Sequence, residues 1–263
     1  MPIMRVNGNN LQFELEGNET APVLVFSNSL GTDMHMWNAQ RDYFRHDFRC
    51  LFYDTRGHGG SGIGSDPVRL TDLADDIVGI ADNLGISQFH LVGLSLGGLA
   101  AQQLVLRNPE RLLSLTLMAT GAYLPTPEMW QSRADLARAE GMAPLVDATM
   151  KRWFTEKAST SIGSKIDDMR ASFLDTNALG YASCCEAIGA ADLRGMIAQI
   201  GIPTLILSGS EDSSTPPEMG RLLHSAISSS IFKIIDDAAH MLAIEQSDVC
   251  NHEISQFLKV NGG

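Results

Sequence analysis

Three side chains of this 263-residue chain have the types that nucleophilic catalysis requires: Ser95, Asp212 and His240. A serine hydroxyl attacks poorly until a base takes its proton, and an imidazole base needs a carboxylate to orient it and stabilise its charged form. Ser95 stands in Gly93-Leu94-Ser95-Leu96-Gly97, a G-x-S-x-G pentapeptide whose glycines permit a sharp turn with the hydroxyl outermost. In a chain with 24 glycines the pentapeptide alone is weak. Its setting strengthens it, because Phe89–Gly93 reads as a strand and Gly97–Arg107 as a helix that stops before Pro109.

The two partners lie on similar loops. Asp212 follows the strand-like Thr204–Ser208 in Gly209-Ser210-Glu211-Asp212, and His240 follows Ile231–Ile235 in Asp236-Asp237-Ala238-Ala239-His240. Taken singly, Asp212 reads equally as a helix cap and His240 as a solvated loop histidine. The order Ser, Asp, His, each just past the carboxyl end of a strand, is what joins them into a triad. Glu211 and Asp236 are the weaker candidates for the acid.

Acyl transfer also needs donors for a developing oxyanion. The backbone N–H of Leu96 opens the helix after Ser95, where the helix dipole favours negative charge. A second donor is expected from the loop after Val23–Ser27, most directly the N–H of Ser29 in Ser27-Asn28-Ser29-Leu30-Gly31.

The elements that must hold these residues alternate as an α/β protein with a mostly parallel sheet flanked by helices. Met4–Glu16 reads as a hairpin turning near Asn7–Gly8. Val23–Ser27, Phe48–Tyr53 and Leu113–Ala119 read as further strands. Helices are expected around Met36–Phe44, over Thr71–Leu84, from Pro216–Pro217 onward and over Ile244–Leu258. From Gly121 to Arg194 the pattern is helical throughout. The expected division is therefore a core of residues 1–120 and 195–263 with a helical cap of 121–194, lying over the carboxyl ends of the strands, where open sheets bind ligands.

Composition bounds the partners. The net charge of −12 argues against nucleic acid, whose phosphates need many cations. Cys50, Cys184, Cys185 and Cys250 form no C-x-x-C pair and read as buried thiols of a reducing cytoplasm. The opening MPIMRV does not read as a secretion signal, and no apolar run is long enough for a membrane span. No metal or organic cofactor is expected. Among the other histidines, His58 reads as a loop-stabilising residue and His35 as a candidate pocket wall. His46, His90, His224 and His252 read as surface or packing residues.

Several stretches together resemble the 3-oxoadipate enol-lactonases of the α/β-hydrolase superfamily. They are SNSLGTDMHMW (Ser27–Trp37), YDTRGHGGS (Tyr53–Ser61), GLSLGG (Gly93–Gly98), Met129–Arg133, Lys151–Thr155, GYASCCEAIGAADLR (Gly180–Arg194), IPTLILSGSEDSSTPPEMG (Ile202–Gly220) and the segment around Ala238–Glu245. YDTRGHG and G-x-S-x-G mark the α/β-hydrolase fold generally, whereas SNSLGTD, RWFT and GYASCCEAI are particular. Ser27-Asn28 departs from the His-Gly usual in this fold, and Ser161–Lys165 matches no family pattern. The resemblance implies the α/β-hydrolase fold, a small anionic enol-lactone as substrate, and aromatic-compound catabolism as the setting. It implies Arg133 as partner of the substrate carboxylate, with Trp153 and Trp130 as apolar walls. The segment from 121 to 194 carries 8 basic and 10 acidic residues against 11 and 21 elsewhere, a mild sign in the same direction. A carboxylesterase, a carbon–carbon hydrolase or a haloperoxidase-like enzyme could use the same triad, and a non-catalytic receptor could use the same fold.

Overall fold

The structure is a computed structural model that describes residues 1–64 and 67–261. Its first two strands, β1 (Ile3–Val6) and β2 (Asn9–Gly17), form an antiparallel hairpin. Asn7 and Gly8 make the two-residue turn with positive φ of 49° and 81°, which asparagine and glycine tolerate best. The chain continues through β3 (Val23–Ser27), α1 (Asn38–Phe44), β4 (Arg49–Tyr53), α2 (Leu70–Asn83), β5 (Phe89–Leu94), α3 (Leu96–Arg107) and β6 (Leu112–Met118). Five helices follow: α4 (Pro127–Glu140), α5 (Ala143–Trp153), α6 (Glu156–Ser161), α7 (Gly163–Asp175) and α8 (Ala178–Ala190). The alternation then resumes with β7 (Thr204–Gly209), α9 (Pro217–Ala226), β8 (Ser230–Ile235), α10 (Leu242–Glu245) and α11 (Ser247–Asn261).

Among the described residues the strands make one eight-stranded sheet in the order β1-β2-β4-β3-β5-β6-β7-β8. Every pairing from β4 to β8 is parallel. Strands β5 and β7 are buried along their whole length, as continuous apolar runs covered by helices on both faces must be. Parallel strands put their carboxyl ends on one rim, so the loops after β3, β5, β7 and β8 are neighbours.

Two helices differ from the expected spans. A 3-10 turn over Met34–Trp37, capped by the Asp33 carboxylate on the His35 N–H, precedes α1. The closing segment is two helices rather than one, broken at Gln246 (φ −121°, ψ 48°), whose side-chain amide donates to the Asp237 carbonyl at 3.0 Å.

Residues 121–194 hold only helices and loops among those described, as the sequence pattern implies. Helix α8 packs against α4 and also rests on the core. A Cβ on Gly180 of α8 would lie 2.4 Å from the Gly57 Cα, so the two glycines set how closely these helices approach the loop after β4. Trp153, Phe173 and Tyr181 stack edge to face at centroid spacings of 5.6 Å, forming an aromatic spine through α5, α7 and α8. The expected core segment 195–263 runs two residues past the described part, since 262 and 263 lie outside it.

Candidate active site

Ser95 caps α3 with φ 56° and ψ −111°, a conformation that costs a non-glycine residue on the order of 1–3 kcal/mol. Its surroundings hold it there. The Ser95 N–H donates to the Met118 carbonyl at 2.9 Å, and its own carbonyl accepts from the Thr120 hydroxyl at 2.8 Å. The flanking glycines are steric necessities: a Cβ on Gly97 would lie 2.1 Å from the Ser27 carbonyl oxygen, and one on Gly93 would lie 2.4 Å from the Gly97 oxygen. Gly97→Ala must therefore push β3 and α3 apart. It should destabilise the fold by about 3 kcal/mol and lower the melting temperature by roughly 10 °C in a scanning calorimeter.

The loops after β7 and β8 bring Asp212 and His240 together. His240 Nδ1 lies 2.9 Å from Asp212 Oδ2, and both side chains are buried. The other carboxylate oxygen, Oδ1, accepts the N–H groups of Ser214 and Thr215 at 2.8 and 3.0 Å. The Thr215 hydroxyl donates to Oδ2 at 2.6 Å and lies 3.2 Å from His240 Nδ1. Burial pushes the Asp212 pKa up, but the His240 charge and these hydrogen bonds outweigh it and hold the carboxyl at about 2. The acid is thus ionised at any working pH.

A cavity of about 330 Å³ is lined by both Ser95 and His240, so the rim brings the hydroxyl and the imidazole to one space. Ser29 and Leu30 line it too. Among the described residues the Ser29 N–H is paired only with the Met36 sulfur, at 3.4 Å, a weak acceptor. Leu96 opens α3, where first-turn N–H groups have no carbonyl partner within the helix. Gly97 N donates to the Asn28 carbonyl at 3.0 Å, tying the start of α3 to the loop after β3.

The glycine-rich stretch after β4 braces this arrangement. His58 accepts the Gly31 N–H on Nε2 at 2.9 Å and donates from Nδ1 to the Arg56 carbonyl at 3.1 Å. Burial pulls its pKa down to about 4, so the accepting nitrogen stays unprotonated at neutral pH. Arg56 in turn forms a buried two-point pair with Asp76, at 2.7 and 2.8 Å. His58 therefore supports the loop bearing Ser29, as expected. His35 differs from expectation: it is exposed, paired with Asp33 at 3.0 Å, and absent from the cavity wall. The 3-10 turn that carries it directs Met34, Met36 and Trp37 inward instead. His90 is a packing residue, buried beside Ser114 at 2.8 Å.

Helices α4 and α5 bring Trp130, Arg133, Thr149, Arg152 and Trp153 to the cavity, beside Leu124 and Pro125 after β6 and Ser213–Pro216 after β7. Arg133 donates from Nε to the Tyr181 hydroxyl at 3.1 Å and from its terminal nitrogen to Tyr181 and, at 3.2 Å, to Thr149 Oγ1. Arg152 donates to the same Thr149 oxygen at 3.4 Å. Burial, and next the Arg133 charge, pull the Arg152 pKa down. Among the described residues neither arginine has a carboxylate within ion-pair distance. Arg152 is the residue that sequence reasoning missed. Its signal was its place in the family-like RWFT stretch beside Trp153, but a basic residue in a last helical turn ordinarily serves the helix dipole.

Among the described residues no three His, Cys, Asp or Glu side chains group as a metal site, and no helix is long and apolar enough to cross a membrane.

An eight-stranded sheet with a serine elbow between β5 and α3, and an Asp–His pair on two later loops of the same rim, defines a class. The chain belongs to the alpha/beta hydrolase fold family, whose profile matches residues 22–247. It is 38% identical over 252 residues to 3-oxoadipate enol-lactonase 1 of Acinetobacter baylyi, covering 96% of this chain and 94% of that one. It is 34% identical over 249 residues to enol-lactonase 2 of the same organism, covering 95% and 93%. The crystal structure of the enol-lactonase from Burkholderia xenovorans LB400 superposes with a TM-score of 0.96 at 39% identity, covering 98% of this chain and all of that one. The resemblance carried by the SNSLGTD, RWFT and GYASCCEAI stretches is thereby borne out.

Proposed function

We propose that the chain opens 3-oxoadipate enol-lactone to 3-oxoadipate through an acyl-enzyme on Ser95, within aromatic-compound catabolism. One observation supports this reading above the others: a single cavity has Ser95 and His240 on its wall together with Arg133 and Arg152, which pair with no carboxylate among the described residues. A ligand with an electrophilic carbonyl and a separate carboxylate matches both.

In this reading Ser95 Oγ attacks the lactone carbonyl while His240 Nε2 takes its proton. Asp212, still charged, stabilises the imidazolium through Nδ1. The N–H groups of Ser29 and Leu96 receive the oxyanion. Collapse breaks the ring carbon–oxygen bond, His240 returns the proton to the departing enol oxygen, and the enol relaxes to the ketone. Water then gives a proton to His240 and attacks the acyl carbon; the carbon–Oγ bond breaks, and His240 passes that proton to Ser95 Oγ, freeing the acid and restoring the hydroxyl. Arg133 and Arg152 hold the substrate carboxylate, and Trp130 and Trp153 enclose the ring. Residues 121–194 act as the cap, and 1–120 with 195–263 as the hydrolase core. The four cysteines are all free and buried, which supports a reducing compartment, the cytoplasm.

Arg133→Ala and Arg152→Ala test the anchor. A hydrogen bond to a charged group contributes about 1.5–3 kcal/mol, so kcat/KM on the enol-lactone should fall roughly 10- to 100-fold. Turnover of the neutral ester p-nitrophenyl acetate should stay within about twofold. Equal losses on both esters would contradict the assignment and favour a general carboxylesterase.

A further inference from the structure

The residues on either side of His240 are both tied to the helical segment that walls the cavity. Before it, the Ala239 N–H donates to Glu245 Oε2 at 2.6 Å. The other oxygen of that carboxylate, Oε1, accepts the N–H and the hydroxyl of Thr155, at 2.8 and 2.9 Å. After it, the Met241 N–H donates to the Trp153 carbonyl at 2.9 Å. Trp153 itself lines the cavity.

From this geometry we infer that Glu245 and Thr155 are positioning residues for His240, making the wall at Trp153 and the base one mechanical unit. The inference rests on His240 being the base. Glu245 heads no salt bridge in the triad and touches neither Ser95 nor Asp212. It acts only through the backbone of residue 239. An amide there cannot replace the carboxylate, because glutamine has one accepting oxygen for donors on two sides. Its NH2 group would meet either Ala239 N–H or Thr155 as a second donor. The loop bearing the imidazole would then relax away from the wall by a fraction of an ångström, a displacement to which proton transfer is sensitive.

The test uses Glu245→Gln, Thr155→Val and Thr155→Ser in the full chain. Two readouts need no commitment to the natural substrate: the rate of fluorophosphonate labelling at Ser95 and the turnover of p-nitrophenyl acetate. Glu245→Gln should lower both about tenfold, and the kcat on the enol-lactone equally, with KM within about twofold. The Thr155 hydroxyl also caps α6, accepting the Ala158 N–H at 3.1 Å, so stability alone is no readout. Thr155→Val should slow labelling roughly threefold at a temperature where it remains folded, and Thr155→Ser should restore the original rate. If Glu245→Gln fails to fold, the valine and serine pair decides. Labelling at the unaltered rate in Glu245→Gln or Thr155→Val, or losses confined to KM, would overturn the brace alone. Absence of labelling in the unaltered protein would overturn the assignment of His240 and the brace with it.

Discussion

Ser95→Ala should lower turnover of the enol-lactone about 10⁶-fold, the scale of loss when a triad nucleophile is removed. Alanine keeps the positive φ that the elbow already imposes on residue 95, and the backbone bonds from Ser95 N and to its carbonyl remain. The melting temperature should move by no more than about 2 °C, because a small truncation beside a cavity changes stability little. The KM should stay within a few-fold, since the arginines and tryptophans proposed to hold the ligand are untouched. What disappears is the oxygen that forms the acyl bond. The residual rate should come from the Ser29 and Leu96 donors acting on attack by water. A variant that kept even a hundredth of the activity would mean that water, and not Ser95, attacks the carbonyl.

Asp212→Asn should cost about 10⁴-fold in kcat. Asp212 Oδ2 accepts from both His240 Nδ1 and the Thr215 hydroxyl, so the carboxylate fixes the tautomer with hydrogen on Nδ1. An asparagine has one oxygen, and Ser214 and Thr215 N–H groups already hold the Oδ1 position. Its NH2 is therefore turned toward the imidazole, where it demands an acceptor. The ring then carries its proton on Nε2 and cannot receive another from Ser95. Since the Asp212 carboxyl stays ionised until about pH 2, this loss should persist across the neutral range rather than appear only on the alkaline side. The measurement is a pH profile of kcat for both proteins. A variant whose activity recovers at high pH would show that Asp212 supplies charge alone and does not set the tautomer.

The rim was legible in the sequence because its strands are mostly apolar runs with polar or glycine-rich loops directly after them. Val23–Ser27, Phe89–Leu94 and Thr204–Gly209 are of this kind, and each delivers a site residue one to three positions beyond its end. Parallel pairing then places those ends together without further information. Where contacts cross between distant segments, local pattern carried less. Arg152 on α5 looks like any helical arginine until Arg133 and Thr149 are seen beside it. Glu245 and Thr155 meet across 90 residues, and although both lie in family-like stretches, neither stretch shows that the two side chains pair. The break at Gln246 is also tertiary in origin, because the amide that interrupts the helix bonds a carbonyl in the His240 loop. His35 misled for the opposite reason: it sits beside the donor loop in sequence, yet the 3-10 turn rotates it to solvent.

The central claim is that Ser95, His240 and Asp212 act as one nucleophilic unit, and covalent labelling reads it most directly. Purified protein is incubated with a fluorophosphonate and digested, and the modified peptide is located by mass spectrometry. The phosphonyl group should reside on the peptide containing Ser95, at one group per chain, and His240→Ala should slow its formation about 10³-fold or more. Label on another residue, or labelling at an unchanged rate without the imidazole, would contradict the account.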